Sequence, residues 1–180
     1  MKGCPEAAEL VRRLEEWYAS PLGAELASQE EACLERMLRE TFGYYLLQVG
    51  VNAGFADAVA TSRIRHRILL PPAAGFGAGG LRVAARPEQF PVAADSVDAV
   101  FLPHTLDFVG DPHQVLREAE RVLIPEGRVV VIGFNALSLW GLRRMIPGGH
   151  RRLPWCAEFL TPYRVGDWLS LLGFDLEMQE

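Results

Sequence analysis

Apolar positions in the first 42 residues recur at helical intervals. Leu10, Leu14, Trp17 and Tyr18 stand at i, i+4, i+7 and i+8 and form one stripe, and Pro5 suits a first turn. Ser20-Pro21-Leu22-Gly23 interrupts the pattern. A second helix is predicted after it, with Cys33, Leu34, Met37, Leu38 and Phe42 on one side and Gly43 placed to end it. Beyond Gly43 the texture changes. The run from Tyr44 to Val51 reads as a strand buried on both faces. A short helix through Ala56 to Thr61 follows, then a second strand from His66 to Leu70, stopped by Pro71-Pro72. Gly75 to Gly80 reads as a loop, Leu81 to Ala85 as a third strand, Val97 to Leu102 as a fourth and Gly127 to Phe134 as a fifth. Between the last two, Asp111 is an N-cap, Pro112 fits the first helical position, and Val115, Leu116, Ala119, Val122 and Leu123 form a buried stripe. Thr161-Pro162 opens a final helix with Trp168, Leu169 and Leu172 apolar and Gly173 at its end. Phe174 to Met178 then alternates with period two, as a half-buried strand would.

Strands alternating with helices predict an α/β fold, a parallel sheet covered on both faces. The organisation expected is a helical extension over residues 1–42 and one compact α/β unit over 43–180. Ligands of such sheets settle at the carboxyl ends of the strands, here the loops after Val49, Leu70, Ala85, Leu102 and Phe134. At 180 residues, 49% hydrophobic and 23% charged, the chain can bury a full core, which argues against disorder. Nothing approaches 18 consecutive apolar residues, so no membrane span is expected. Cys4, Cys33 and Cys156 include no C-x-x-C pair and read as free thiols of a cytoplasmic protein.

The stretch from Phe90 to Asn135 carries a family pattern. Phe90-Pro91, Asp95-Ser96-Val97-Asp98-Ala99-Val100, Leu106, Asp111-Pro112, Leu116-Arg117-Glu118, Arg121-Val122-Leu123 and Pro125-Glu126-Gly127 resemble class I S-adenosylmethionine-dependent methyltransferases of the type 11 group. The resemblance implies a Rossmann-like sheet, S-adenosylmethionine as cofactor and methyl transfer to an acceptor, small or macromolecular, that the sequence does not identify. It also implies a glycine turn after the first strand, where the backbone approaches the cofactor closely. Gly50 and Gly54 match the outer glycines of that turn, Asn52 replaces the middle one, and Gln48 replaces the usual acid of the strand. Pro71-Pro72 stands where a ribose-binding carboxylate is expected, and Ala85 and Arg86 stand near the adenine position. Losing a carboxylate–diol contact costs about 1.5–3 kcal/mol, so a catalytically degenerate fold acting as a binding or regulatory protein is the second reading.

His104, with Asp107 three residues on, follows the fourth strand, where substrate-facing residues of this family sit. Two roles are open to it: a general base or orienter of the nucleophile, or a hydrogen-bonded structural histidine. Pro103 is a candidate for the turn against the cofactor. His66, His104, His113 and His150 show no metal-ligand spacing, so no metal is expected. Net charge is −5, unevenly spread: nine Glu against five Lys or Arg up to Glu40, and five Arg with no acid from Gly127 to Ala157. Arg143, Arg144, Arg151 and Arg152 are therefore candidates for an anionic partner, against the alternative of a solvated loop. No nucleic-acid recognition module is evident. The sequence stops without the returning strand that closes the family's terminal hairpin. That predicts a trimmed chain or a partner over the fifth strand, with a homodimer along that edge as one form.

Overall fold

The computed structural model describes residues 7–50, 55–70, 81–82, 86–138, 141 and 154–177. Two helices lead, α1 (Ala7–Tyr18) and α2 (Pro21–Leu38). The α/β portion follows as β1 (Phe42–Val49), α3 (Ala56–Thr61), β2 (Arg63–Leu70), β3 (Leu81–Arg82), β4 (Val97–Pro103), α4 (Thr105–Phe108), α5 (Pro112–Val122), β5 (Leu123–Ile132) and α6 (Pro162–Leu171). Polar side chains start three of the helices. The Ser20 hydroxyl accepts from Gly23 N at 3.2 Å, the Asp111 carboxylate from Gln114 N at 3.0 Å, and the Thr161 hydroxyl from Arg164 N at 3.3 Å.

All strand pairings are parallel, in the order β3-β2-β1-β4-β5. The order reverses between β1 and β4, so a crevice opens between their carboxyl ends. Each face of the sheet has its own core. On one, Leu34 and Leu38 of α2 and Ala58 and Val59 of α3 pack on Leu46, Ala99, Phe101 and Val130. On the other, Val115, Leu116, Ala119 and Val122 of α5 pack on Leu47, Val49, Val100 and Leu102, and Trp168 and Leu169 of α6 close the layer. Each such aliphatic side chain taken out of water contributes about 1.5–3 kcal/mol. A third cluster, Phe134, Trp155, Ala157 and Phe159 with Trp17 and Leu26, ties α1 and α2 to the segment after β5.

Several sequence expectations are corrected here. The second helix ends at Leu38, not Phe42; the Thr41 hydroxyl donates to Met37 O at 3.2 Å, and Phe42 opens β1, 77% exposed. Gly43 belongs to β1, where a Cβ would collide with Asp98, whose carboxylate accepts from Tyr44 N and Tyr45 N at 2.9 and 2.8 Å. β5 starts four residues early, at Leu123, and Phe134 lies beyond it. No strand forms over 174–177. Gly173 (φ +88°) ends α6 in a left-handed turn, with Gly173 N donating to Ser170 O and Phe174 N to Leu169 O at 3.0 and 3.1 Å. The period-two pattern there includes the apolar contact of that helix end, since Phe174 packs on the core. Cys156 is disulfide-bonded, against the thiol expected from the spacing of the cysteines, and Cys33 forms no disulfide. No described helix is long and apolar enough to cross a membrane. Arg143, Arg144, Arg151 and Arg152 lie outside the described residues.

Candidate functional site

The carboxyl ends of β1, β4 and β5 are laced together. Gly50 N donates to Leu70 O at 3.0 Å, and its φ of +111° suits glycine. A Cβ on Gly50 would lie 2.5 Å from Thr105 Oγ1 and 3.1 Å from Pro103 O, so the approach of β1 to the end of β4 demands a bare backbone. The Thr105 hydroxyl donates to Val49 O in a short hydrogen bond. His104 takes a left-handed conformation (φ 50°), and its N–H donates to Ile132 O at 2.7 Å. That turn carries the chain from β4 into α4 and aims the imidazole inward.

The ring is 1% exposed and touches a carboxylate at each nitrogen. Nδ1 lies 3.0 Å from Asp107 Oδ2 and Nε2 lies 3.0 Å from Glu30 Oε1. Two acceptors on two ring nitrogens select the doubly protonated imidazolium, since a neutral ring donates from one nitrogen only. Burial opposes the charge, but Glu30 and the hydrogen bond that Nδ1–H donates to Asp107 outweigh it and hold the His104 pKa up at about 9. Each carboxylate is itself anchored. Glu30 Oε2 accepts from the Tyr18 hydroxyl at 3.1 Å, and Asp107 accepts from Phe134 N at 3.1 Å. Burial and the neighbouring Glu30 raise the Tyr18 pKa far above its ordinary value, so the phenol remains a donor. Phe134 lies against the imidazole with ring centres 4.3 Å apart.

The structure thus brings Gly50, Pro103, His104 and Asp107 to one end of the sheet. Gln48 is buried on β1 in register with Phe101 and Leu69. Arg86 is exposed, in a turn where Gln89 N donates to Arg86 O at 2.9 Å. Asn52, Gly54 and Ala85 lie outside the described residues. Tyr18 counts in the sequence only as part of an apolar stripe, and Glu30 is not singled out there, although it precedes Leu34 and Leu38 at four-residue steps. A charge on the apolar stripe of a helix is the signal that was available. Among the described residues no cluster of three His, Cys, Asp or Glu could hold a metal ion.

Residues 47–131, from the middle of β1 to the end of β5, match the family model for a methyltransferase domain. Over that stretch the chain is similar to the family. Its fold is that of the S-adenosylmethionine-dependent methyltransferase from Thermotoga maritima, with a TM-score of 0.67, 18% identity and coverage of 93% of this chain and 79% of that one. In sequence it is 35% identical over 162 residues to the uncharacterized protein YafS of Escherichia coli, covering 89% of this chain and 65% of that protein. It is 37% identical over 124 residues to the uncharacterized protein Rv2003c of Mycobacterium tuberculosis, covering 66% and 41%. The chain therefore spans under two thirds of the length of these relatives. The matched stretch has the parallel order and a glycine at the switch point. It also contains no Asp or Glu between Asp57 and Glu88, the stretch that includes the end of β2.

Proposed function

We propose that the methyltransferase domain binds S-adenosylmethionine in the crevice between β1 and β4 and transfers its methyl group to an acceptor approaching the end of β4. The observation that carries this reading is Gly50 at the strand-order switch, its bare backbone set against Pro103 and Thr105. The bound donor would supply an electrophilic methyl on a sulfonium. The protein's part is alignment and exclusion of water. In this reading Gly50, with Asn52 and Gly54 in the turn after it, lies along the donor's methionine end, Gln48 and Pro103 support that turn, and Ala85 and Arg86 flank the adenine. The ribose diol is met by backbone groups or by side chains from elsewhere, because no acid follows β2 before Glu88.

His104 is a positioning residue in this proposal, not a base. An imidazolium with a pKa of about 9 has no lone pair to offer at neutral pH. It pins α2, through Glu30, to α4, through Asp107, at the end of β4. The acid-free stretch favours a second reading, a domain that binds the nucleoside without turning it over. Calorimetric titration with S-adenosylmethionine and a tritiated-methyl transfer screen against cell extract separate the two. Binding with transfer supports the enzyme, binding without transfer supports the second reading, and no heat of binding removes both.

A further inference from the structure

At the opposite end of the sheet the amino-terminal halves of β1 and β2 stand bare. Phe42, Tyr44 and Tyr45 are 77%, 66% and 43% exposed, and Arg63, Arg65, His66 and Arg67 beside them are exposed as well. Two features of the fold leave them so. β3 pairs with β2 only at Ile68 and Leu69, and α5 and α6 cover the β4 side of the sheet. Phe42 pairs with Arg63 and Leu46 with Arg67, so strand alternation sets Tyr44 beside Arg65 on the same face. The backbone positions of the three arginines recur about every 6.6 Å along β2. None forms an ion pair among the described residues, and the Asp98 carboxylate beside the aromatics accepts from Tyr44 N and Tyr45 N. On the other face Tyr45 and His66 stack with ring centres 5.4 Å apart.

We propose that this surface, Phe42 and Tyr44 beside Arg63, Arg65 and Arg67, binds single-stranded nucleic acid. A ladder of unpaired guanidiniums at strand spacing matches a run of phosphates, and flat aromatic rings on a sheet stack bases without selecting among them. The aromatics decide the class of partner. An acidic polypeptide would use the arginines and leave the two large exposed rings without a role. The surface lies at the far end of the sheet from the Gly50 turn, so it anchors a strand and does not depend on methyl transfer.

Fluorescence anisotropy of the full chain with fluorescein-labelled twelve-nucleotide oligouridine and oligothymidine tests this. Saturable binding is expected that weakens with salt. The R63S/R65S/R67S triple variant should lose about tenfold or more in affinity, and its salt slope should fall by about 2, as the loss of three single-strand phosphate contacts requires. Phe42→Ala with Tyr44→Ala should weaken binding about fivefold or more at an unchanged salt slope. All five positions are exposed, and circular dichroism of each variant confirms that its fold is intact. A Kd weaker than about 10⁻⁴ M for the parent chain, the loose limit of sequence-independent binding, overturns the proposal and leaves the arginines as protection of an open strand edge. Binding retained by the triple variant overturns the assignment of the surface. Polyglutamate competing as well as oligouridine overturns the class of partner.

Discussion

Gly50 and His104 sit at the ends of adjacent strands, and opposite constraints shape them. Gly50 is needed for what it lacks. Gly50→Ala would place a methyl against Thr105 Oγ1 and force an L residue to φ +111°. Strain of that kind costs about 1–3 kcal/mol, so urea denaturation of the variant should show a loss in that range, together with weakened S-adenosylmethionine binding. His104 is defined by its two neighbours. Glu30→Gln removes one of the carboxylates that hold its proton, and the His104 pKa should fall by a unit or more from about 9, read from its ring protons in an NMR titration. An unchanged pKa would mean that Asp107 alone sustains the imidazolium.

At the scale of elements, the helices meet the sheet through their ends as much as through their faces. α2 contributes Leu34 and Leu38 to the core, and one turn earlier on the same stripe it contributes Glu30 to His104. α6 stops because Gly173 adopts φ +88° with open space around it, so Gly173→Ala meets no clash and isolates the backbone cost. The variant should lose about 1–2 kcal/mol of stability in chemical denaturation, the ordinary penalty of left-handed backbone for a residue with a Cβ. Two helix starts were plain in the sequence, because Asp111 and Thr161 each precede a proline and act locally, whereas Ser20-Pro21, expected to be an interruption, caps and opens α2 in the same way. Strand boundaries were less plain. Phe42 fits a helical stripe and a strand equally well, and pairing with Arg63 decides between them.

Across the whole molecule, the buried imidazolium links stability to pH. Its pKa is about 9 in the folded chain against 6.5 for the free side chain. The folded state therefore holds a proton that the unfolded state gives up, and stability from this group is complete below pH 6.5 and lost as pH rises through 9. The loss is up to about 3 kcal/mol between those limits. Urea denaturation midpoints from pH 6 to pH 9.5 should fall accordingly, and the slope should flatten in the Glu30→Gln chain. A flat profile in the parent chain would show that the ring is neutral. The net charge of −5 disguises two local features, the carboxylate-clasped imidazolium at one end of the sheet and the arginine ladder at the other.

The alternation of strands and helices, the helix caps, the glycine after β1 and the motif from Phe90 to Asn135 were all legible in the chain itself, because each depends on residues close together in sequence. The partnership of Glu30 with His104, 74 positions apart, was not, nor was the bonding of Cys156, nor the bareness of Phe42 and Tyr44. These follow from which elements pack against which and from which stretches of sheet no helix covers. Local patterning sets what each segment can become, and the contacts between distant segments decide which groups are buried, which are charged and which are left to water.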